Sequence, residues 1–544
     1  MIKIFIRFFS WALWAGCPHH ASGTGSDNSR GEGTPPTFGM RAGALTQVLL
    51  LALFAVTVRA DVTLAPPFTD HAVLQRGQPI PVWGRAGAGE SIRVSFRGQS
   101  RTTTADAEGR WHVELTPIAA QSEPADLVVT GKNSITLSDV VVGEVWLASG
   151  QSNMEWPLRM ARDAEKEVAA ANFPLIRHLR VEHAVATTPA DAAKTSGWKP
   201  ASPATAGDFT AIGYFFAREL HRNLHVPVGI IHSSWGGTQI EAWMSDEARA
   251  STAFASALQD RWEKAKSEWP PERVARYPAD MAAWQKADAE ARATHTKNLL
   301  PWPQPPASDD SPARPGGLYN GMIAPLQPYA LRGVLWYQGE SNVGRAAEYG
   351  VLLPALIRSW RDGWKRKALA FYFVQLPNFA PDDDPQKLAW AQLREAQAKA
   401  LKVPNTGMAV AIDGDEPLNL HPTKKQEVGR RLALDALALT YGQSIEWSGP
   451  QFQRAKSEDA VMRLRFKHAK GLTLRAGDDS GFQVAGVDRI FYPATAKLDG
   501  EAVIVSSPHV PKPVAARYAW TNAPASTLYN AAGLPAAPFR TDDW

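Results

Sequence analysis

Four short segments of this chain carry the residue types that acyl transfer needs: Gly150-Gln-Ser-Asn-Met154, Ser233-Ser-Trp-Gly-Gly-Thr238, Gln338-Gly-Glu-Ser-Asn342 and Leu420-His-Pro422. Acyl transfer requires a nucleophile, a base to take its proton, and donors for the tetrahedral oxyanion. Ser152 is the candidate nucleophile. His421 is the candidate base, because imidazole titrates nearest neutrality. The backbone N–H groups of Gly236 and Gly237 are candidate oxyanion donors, together with a side-chain amide from Gln338 or Asn342. Gln151, Asn153, Trp235 and Glu340 fall in the substrate vicinity, where Glu340 either ties the loops together or touches substrate. Each residue alone has a plainer reading: a serine in a polar turn, a turn histidine, a solvated acid. The combination is what carries weight.

The positions of these segments follow from the hydrophobic pattern. Residues 141–148 (VVGEVWLA) are an apolar, β-branched run that reads as a buried strand ending just before Ser152. Further strands are expected at 226–231, 331–337, 368–376 and 407–412, with helices at 209–224, 349–364, 388–401 and 426–439. Apolar strands alternating with helices predict a parallel sheet covered on both faces. Each candidate segment follows one of these strands, so all four are expected at one sheet edge, where open α/β sheets bind ligands.

Around this core, residues 61–140 show short alternating segments separated by Gly and Pro turns, the pattern of a small β-sandwich. Residues 246–315 interrupt the α/β pattern. They are helical up to about 300 and Pro-rich from 301 to 315, and read either as a partial lid or as a surface decoration. After 443 the chain is β-rich again, with a turn-like last stretch.

With the motifs in place, the chain resembles the sialate O-acetylesterase family of the SGNH hydrolase group. The resemblance rests on the four segments and on Glu241-Ala-Trp243, Lys425-Gln-Glu-Val-Gly-Arg-Arg-Leu432, Tyr529-Asn530 and Pro538-Phe-Arg-Thr541. It implies a flavodoxin-like α/β core at 141–442, flanked by N- and C-terminal β-sandwich-like accessory domains at 61–140 and 443–544. It also implies a serine esterase that removes acetyl groups from sugar hydroxyls without metal or cofactor. One departure stands out. SGNH enzymes place an Asp three residues before the catalytic His, and here that residue is Leu418, followed by Asn419. Asp415 is the candidate third member, with Glu416 beside it; the alternative is a Ser-His dyad. A second departure is the oxyanion block, which reads Gly339-Glu-Ser-Asn342.

Other acids and bases invite weaker readings. Asp413, Asp415 and Glu416 match no EF-hand spacing. Asp382-Asp-Asp384 reads as a solvated loop. Arg394 reads as a helix-surface ion pair or a substrate contact. Trp235 and Trp243 either pack the core or line a sugar platform.

Composition sets the outer bounds. The chain has 544 residues, and its only cysteine is Cys17. Residues 1–39 lack a core pattern and read as an over-extended N-terminus. Residues 40–60 read as a signal peptide: Arg41, an apolar run at 44–56 too short to span a bilayer, and a small-x-small site at Val58-Arg-Ala60. A periplasmic or secreted location follows, with no membrane attachment after cleavage. Beyond residue 60 the chain carries 53 Lys and Arg against 52 Asp and Glu, a balance that gives no reason to expect nucleic acid. The expected partner is an acetylated carbohydrate, either O-acetyl sialic acid or a plant glycan such as xylan, xyloglucan or pectin. Two other classes compete: a non-catalytic carbohydrate-binding protein and a lipase-like esterase. The sequence leaves the oligomeric state open.

Overall fold

The strand Ser134–Gly150 (β1) organises the fold. Residues Val140–Gly150 are buried without interruption, and side chains of both parities are covered, which requires packing on both faces of the sheet. A computed structural model describes residues 61–544, apart from 295–298, 302, 304, 305, 382, 383, 385, 386 and 476–479. The leader reading and most of Asp382–Asp384 lie outside the described residues.

After β1 come the short helix Ser152–Glu155 (α1), β2 (Phe173–Val181), β3 (Thr195–Ala201), α2 (Ala211–Leu224) and β4 (Val228–Ser234). Then follow β5 (Gly333–Tyr337), α3 (Ala346–Gly363), β6 (Ala370–Gln375), α4 (Ala389–Ala398), β7 (Thr406–Val410) and α5 (Lys425–Asp435). The sheet order is β3-β2-β4-β1-β5-β6-β7. All neighbours are parallel except the edge pair β2–β3. The chain therefore builds outward from β1 first on one side and then on the other. That leaves a switch point at the carboxyl end of β1, between the ends of β4 and β5.

Several elements depart from the sequence expectations. The strands β2 and β3 were not anticipated, because their polar residues break the apolar signal. The residues Ser233 and Ser234 belong to β4 rather than to the loop after it. The strand β1 runs unbroken through residue 140 and pairs with Gln121–Thr130 and Val73–Gln75 before entering the parallel sheet. The turn-like C-terminal stretch contains strands at Ala515–Tyr518, Leu528–Tyr529 and Phe539–Arg540. The insertion forms helices Ala255–Ser267 and Pro271–Ala293, the first anchored by Leu258 and Trp262 and by Arg261 pairing with Glu348 at 2.5 Å. The molecule is thus a mixed α/β fold with a mostly parallel central sheet and extra antiparallel sheets.

The helices α2 and α5 pack against each other at Gly429, where an added Cβ would sit 2.6 Å from Phe215 Cβ. Further along α5, Asp435 is enclosed beside Gly407, and among the described residues its Oδ2 has no hydrogen-bond partner. Burial pushes this carboxyl well above the usual carboxylate range, so it folds in protonated form. In the unfolded chain it ionises above its ordinary value near 4, so folding must take up a proton at neutral pH and stability falls as pH rises. Asp435→Asn removes that proton uptake. The variant is expected to gain about 1–3 kcal/mol on the wild type at pH 8 and to lose that advantage towards pH 4. Urea unfolding across pH checks this; parallel stability curves would refute it.

Candidate functional site

The carboxyl end of β1 turns sharply at Gly150, whose φ is +138°. A Cβ there would lie 2.0 Å from Tyr337 O at the end of β5, so only glycine fits. The Gln151 N–H donates to the same Tyr337 carbonyl at 3.0 Å. The chain then enters α1, with Ser152 as its first residue. His421 arrives from the loop between β7 and α5, and its Nε2 lies 2.8 Å from Ser152 Oγ. In the tautomer with Nε2 bare, the hydroxyl donates along this bond, which is the geometry of a serine activated by a general base.

The histidine loop is braced by Glu416. This carboxylate accepts from Asn419 Nδ2 (2.8 Å), Thr423 Oγ1 (2.6 Å) and Arg162 Nη2 (2.7 Å). Burial alone would raise the Glu416 carboxyl, but these donors outweigh it and hold the group below its ordinary range. The Asn419 side-chain oxygen in turn accepts the His421 backbone N–H at 2.9 Å. Trp156 stacks on the imidazole with centroids 5.2 Å apart and planes at 19°.

Asp415 does not orient the imidazole. Its two oxygens are held by Arg162 at 2.6 and 2.9 Å, and the hydrogen bond from Arg162 keeps its carboxyl low. Arg162 lies 253 positions away in sequence, so a locally chosen acid had a distant partner. Asp413 likewise pairs with Arg431, at 2.7 Å on each oxygen. Among the described residues, no group of three or more His, Cys, Asp or Glu side chains could hold a metal ion.

The proposed oxyanion donors also need correction. The Gly236 N–H points at Glu155 Oε2, 2.8 Å away, although Gly236 itself backs onto Ser152, with an added Cβ 3.3 Å from Ser152 Cβ. Glu155 Oε1 is held by His183 Nε2 at 3.0 Å and by Arg180 at 3.3 Å. The His183 ring stacks on Trp235, with centroids 4.1 Å apart and planes at 6°. Gln338 and Asn342 are fully enclosed. Gln338 Nε2 donates to Thr238 O (3.1 Å) and Asn342 Oδ1 (2.7 Å), while Asn342 Nδ2 donates to Glu241 Oε2 (3.0 Å). Their amides tie the loop after β5 to the loop after β4 and are not presented to a ligand. Among the described residues, the backbone N–H groups of Ser152 and Gly237 have no acceptor. The same holds for Gln151 Nε2, whose Oε1 accepts from the amides of Gly339 (3.4 Å) and Ser341 (3.3 Å). These three groups at the edge remain for an oxyanion or substrate.

Two other expected substrate neighbours are interior. Asn153 is fully buried, bonded to Glu340 Oε1 at 2.5 Å and to Leu420 O at 3.1 Å. The residue Glu340 is half-buried, but its Oε2 is enclosed and unpartnered among the described residues, and burial raises its carboxyl above the ordinary value. Arg394 is neither a surface ion pair nor a substrate contact. It is 0% exposed and donates to the carbonyls of Leu376, Pro377, Thr521 and Asn522, which rivets the C-terminal stretch to the core. Trp243 packs in the core, its Nε1 donating to Thr238 Oγ1 at 2.9 Å.

Sequence reasoning missed Lys425 and Trp156. Lys425 is 1% exposed and donates through Nζ to Asn153 Oδ1. Burial pushes its ammonium down to about 7. One signal was available: Lys425 opens α5, and a cation in the first turn of a helix opposes the helix dipole.

A family model described as carbohydrate esterase, sialic acid-specific acetylesterase matches residues 142–288 and 306–438. A sialate O-acetylesterase of Rattus norvegicus is 28% identical over 548 residues, covering 90% of this chain and 97% of the relative. A sialate O-acetylesterase of Homo sapiens is 29% identical over 505 residues, covering 84% and 88%. Among solved structures, a novel carbohydrate acetylesterase from Xanthomonas citri superposes with a TM-score of 0.75 at 41% identity, covering 89% of this chain and 100% of that one.

Proposed function

The chain belongs to the sialic acid-specific acetylesterase family of carbohydrate esterases and is a carboxylic ester hydrolase; from that premise we propose that it deacetylates sugar hydroxyls through an acyl-Ser152 intermediate. The observation that carries the reading is the 2.8 Å contact between Ser152 Oγ and His421 Nε2 at the switch point of the sheet. In this reading His421 takes the hydroxyl proton as Ser152 attacks the acetyl carbonyl. It then returns that proton to the leaving sugar oxygen and activates water for deacylation. The Ser152 and Gly237 N–H groups receive the oxyanion, with Gln151 Nε2 as the nearby side-chain donor. Neither Asp415, which is committed to Arg162, nor Glu416, which braces the loop, is given the role of orienting the imidazole. No metal or cofactor enters the scheme.

The order of the parallel sheet and the placement of Ser152 and His421 support an SGNH-type core at 141–442, with accessory β modules at 61–140 and 443–544. The leader pattern at 40–60 supports export to the periplasm or beyond. The substrate is an acetylated carbohydrate. The 41% identity to a bacterial carbohydrate acetylesterase and the 28–29% identity to mammalian sialate O-acetylesterases both support an acetylated carbohydrate, either a glycan or O-acetyl sialic acid.

The test is acetate release by the chain from Asp61 onward from O-acetyl sialic acid and acetylated xylan, xyloglucan and pectin. Intact mass after an acid quench should show one acetyl group on the enzyme. Folded protein that releases acetate from none of them would sink the proposal. One observation favours the lipase-like alternative: Leu418 is 81% and Leu420 36% exposed beside His421, forming an apolar lip. A p-nitrophenyl ester series separates the two. Deacetylation predicts a clear preference for acetate over octanoate, and the reverse preference would favour the lipase-like reading.

A further inference from the structure

A lysine nearly without solvent access, beside an active-site loop and without a carboxylate at ion-pair distance, needs a physical reason. Among the described residues, no carboxylate oxygen approaches Lys425 Nζ closely enough to pair; the charge lies over the rings of Trp156 (5.6 Å) and Tyr337 (5.7 Å). An apolar side chain of the same length would pack there without the desolvation penalty. What the ammonium adds is its hydrogen bond to Asn153 Oδ1.

That bond fixes an amide with three fixed partners. The protonated ammonium can only donate and the ionised carboxylate can only accept, so in the charged state of the pair the Asn153 oxygen faces Lys425 and its nitrogen faces Glu340. The second N–H of the same nitrogen then points at Leu420 O, the carbonyl immediately before His421. Four segments meet on one side chain: the turn that carries Ser152, the loop after β5, the histidine loop and the first turn of α5. The bonds to the cation and the carboxylate are charge-assisted, and each polarises the amide in the sense that strengthens the other. Trp156 links the same cation to the imidazole, lying within 5.6 Å of Nζ and stacking on His421.

We propose that Lys425, Asn153 and Glu340 form a buried clamp that sets the spacing between Ser152 and His421, and that Lys425 and Asn153 are positioning residues for the esterase reaction. The proposal rests on the serine-esterase reading of Ser152 and His421. The clamp does not touch substrate. It governs the hydroxyl–imidazole contact, and displacing reacting groups by about 1 Å can cost about 10²-fold in rate.

Two variants test it. Lys425→Met keeps the stem and removes the charge. Asn153→Asp is isosteric: it improves the contact with Lys425 but removes both N–H donors, so Leu420 O and Glu340 lose their partner. A purely structural role predicts that Asn153→Asp, which sets a second carboxyl against Glu340, lowers the melting temperature but leaves the rates of the folded protein unchanged. The clamp predicts that kcat for p-nitrophenyl acetate falls about 50- to 500-fold in both variants with KM within about threefold. The second-order rate of inactivation by a serine-directed organophosphate should fall in parallel, while thermal melts show Asn153→Asp folded. Lys425→Arg should recover part of the loss. Folded Asn153→Asp or Lys425→Met labelled at the wild-type rate would overturn the clamp. If the wild type neither turns over the acetate ester nor reacts with the organophosphate, the serine-esterase reading fails instead.

Discussion

Ser152→Ala is expected to lower kcat for acetyl esters by about 10⁴- to 10⁶-fold, His421→Ala to cost nearly as much, and the double variant to cost no more than the larger single loss. The non-additivity follows from the geometry. The hydroxyl is a poor nucleophile without a base, and the base has nothing to activate without the hydroxyl; the 2.8 Å contact makes them one unit. What survives is binding and the free N–H donors at the sheet edge. Asp415→Asn should cost less than about tenfold, since Asp415 is held by Arg162 and its removal reaches His421 only through the loop that Glu416 also braces. Turnover of p-nitrophenyl acetate by the four variants decides the matter. Additive losses for Ser152 and His421 would separate the two residues, and a loss at Asp415 matching that at His421 would restore it as a third member.

The contrast between Asp415 and Ser152 shows what was legible in the sequence. The placement of Ser152 depends on β1, whose apolar run is continuous and ends at Gly150, so strand, turn and nucleophile are all encoded locally. His421 could be placed at the same edge because the strand before it is equally apolar. Roles that depend on a partner's direction were not legible. Gly236 sits against Ser152 as expected, yet its N–H is turned away by Glu155, a residue 81 positions earlier. Gln338 and Asn342 have the right chemistry for oxyanion donors but are consumed by each other, Thr238 and Glu241. The strands β2 and β3 escaped notice for a related reason: buried Arg177 and His178 look like surface residues until Asp139 and Thr210 are seen beside them.

His178 also leads to an acid-labile core. It lies on β2 next to His232 on β4, with ring centroids 5.3 Å apart, and both are nearly inaccessible. The His178 ring stacks on Phe209 and its Nε2 accepts the Thr210 N–H at 3.4 Å. His232 Nε2 lies 2.6 Å from Ser234 Oγ. Burial is the main cause that drives His178 down to about 3 and His232 well below its ordinary value, with Arg180 opposing protonation of both. Both rings therefore stay neutral in the folded protein, while in the unfolded chain they protonate below about pH 6.5. The unfolded state then binds more protons, so stability is fully present above pH 6.5 and falls as pH drops towards 3. Two such groups give a slope of about 2.7 kcal/mol per pH unit, so two units of acidification remove about 5 kcal/mol, comparable with the whole stability of many domains. His178→Gln, which can still accept from Thr210, should halve the slope contributed by this pair in urea unfolding between pH 6.5 and 4.5. An unchanged slope would show that the pair is not its source. The effect also reaches the site, because His232 contacts Ser234 at the end of β4, two residues before Gly236. Acid inactivation should thus have two parts: a reversible loss from protonating His421, present in both proteins, and a slower loss with unfolding that His178→Gln shifts to lower pH.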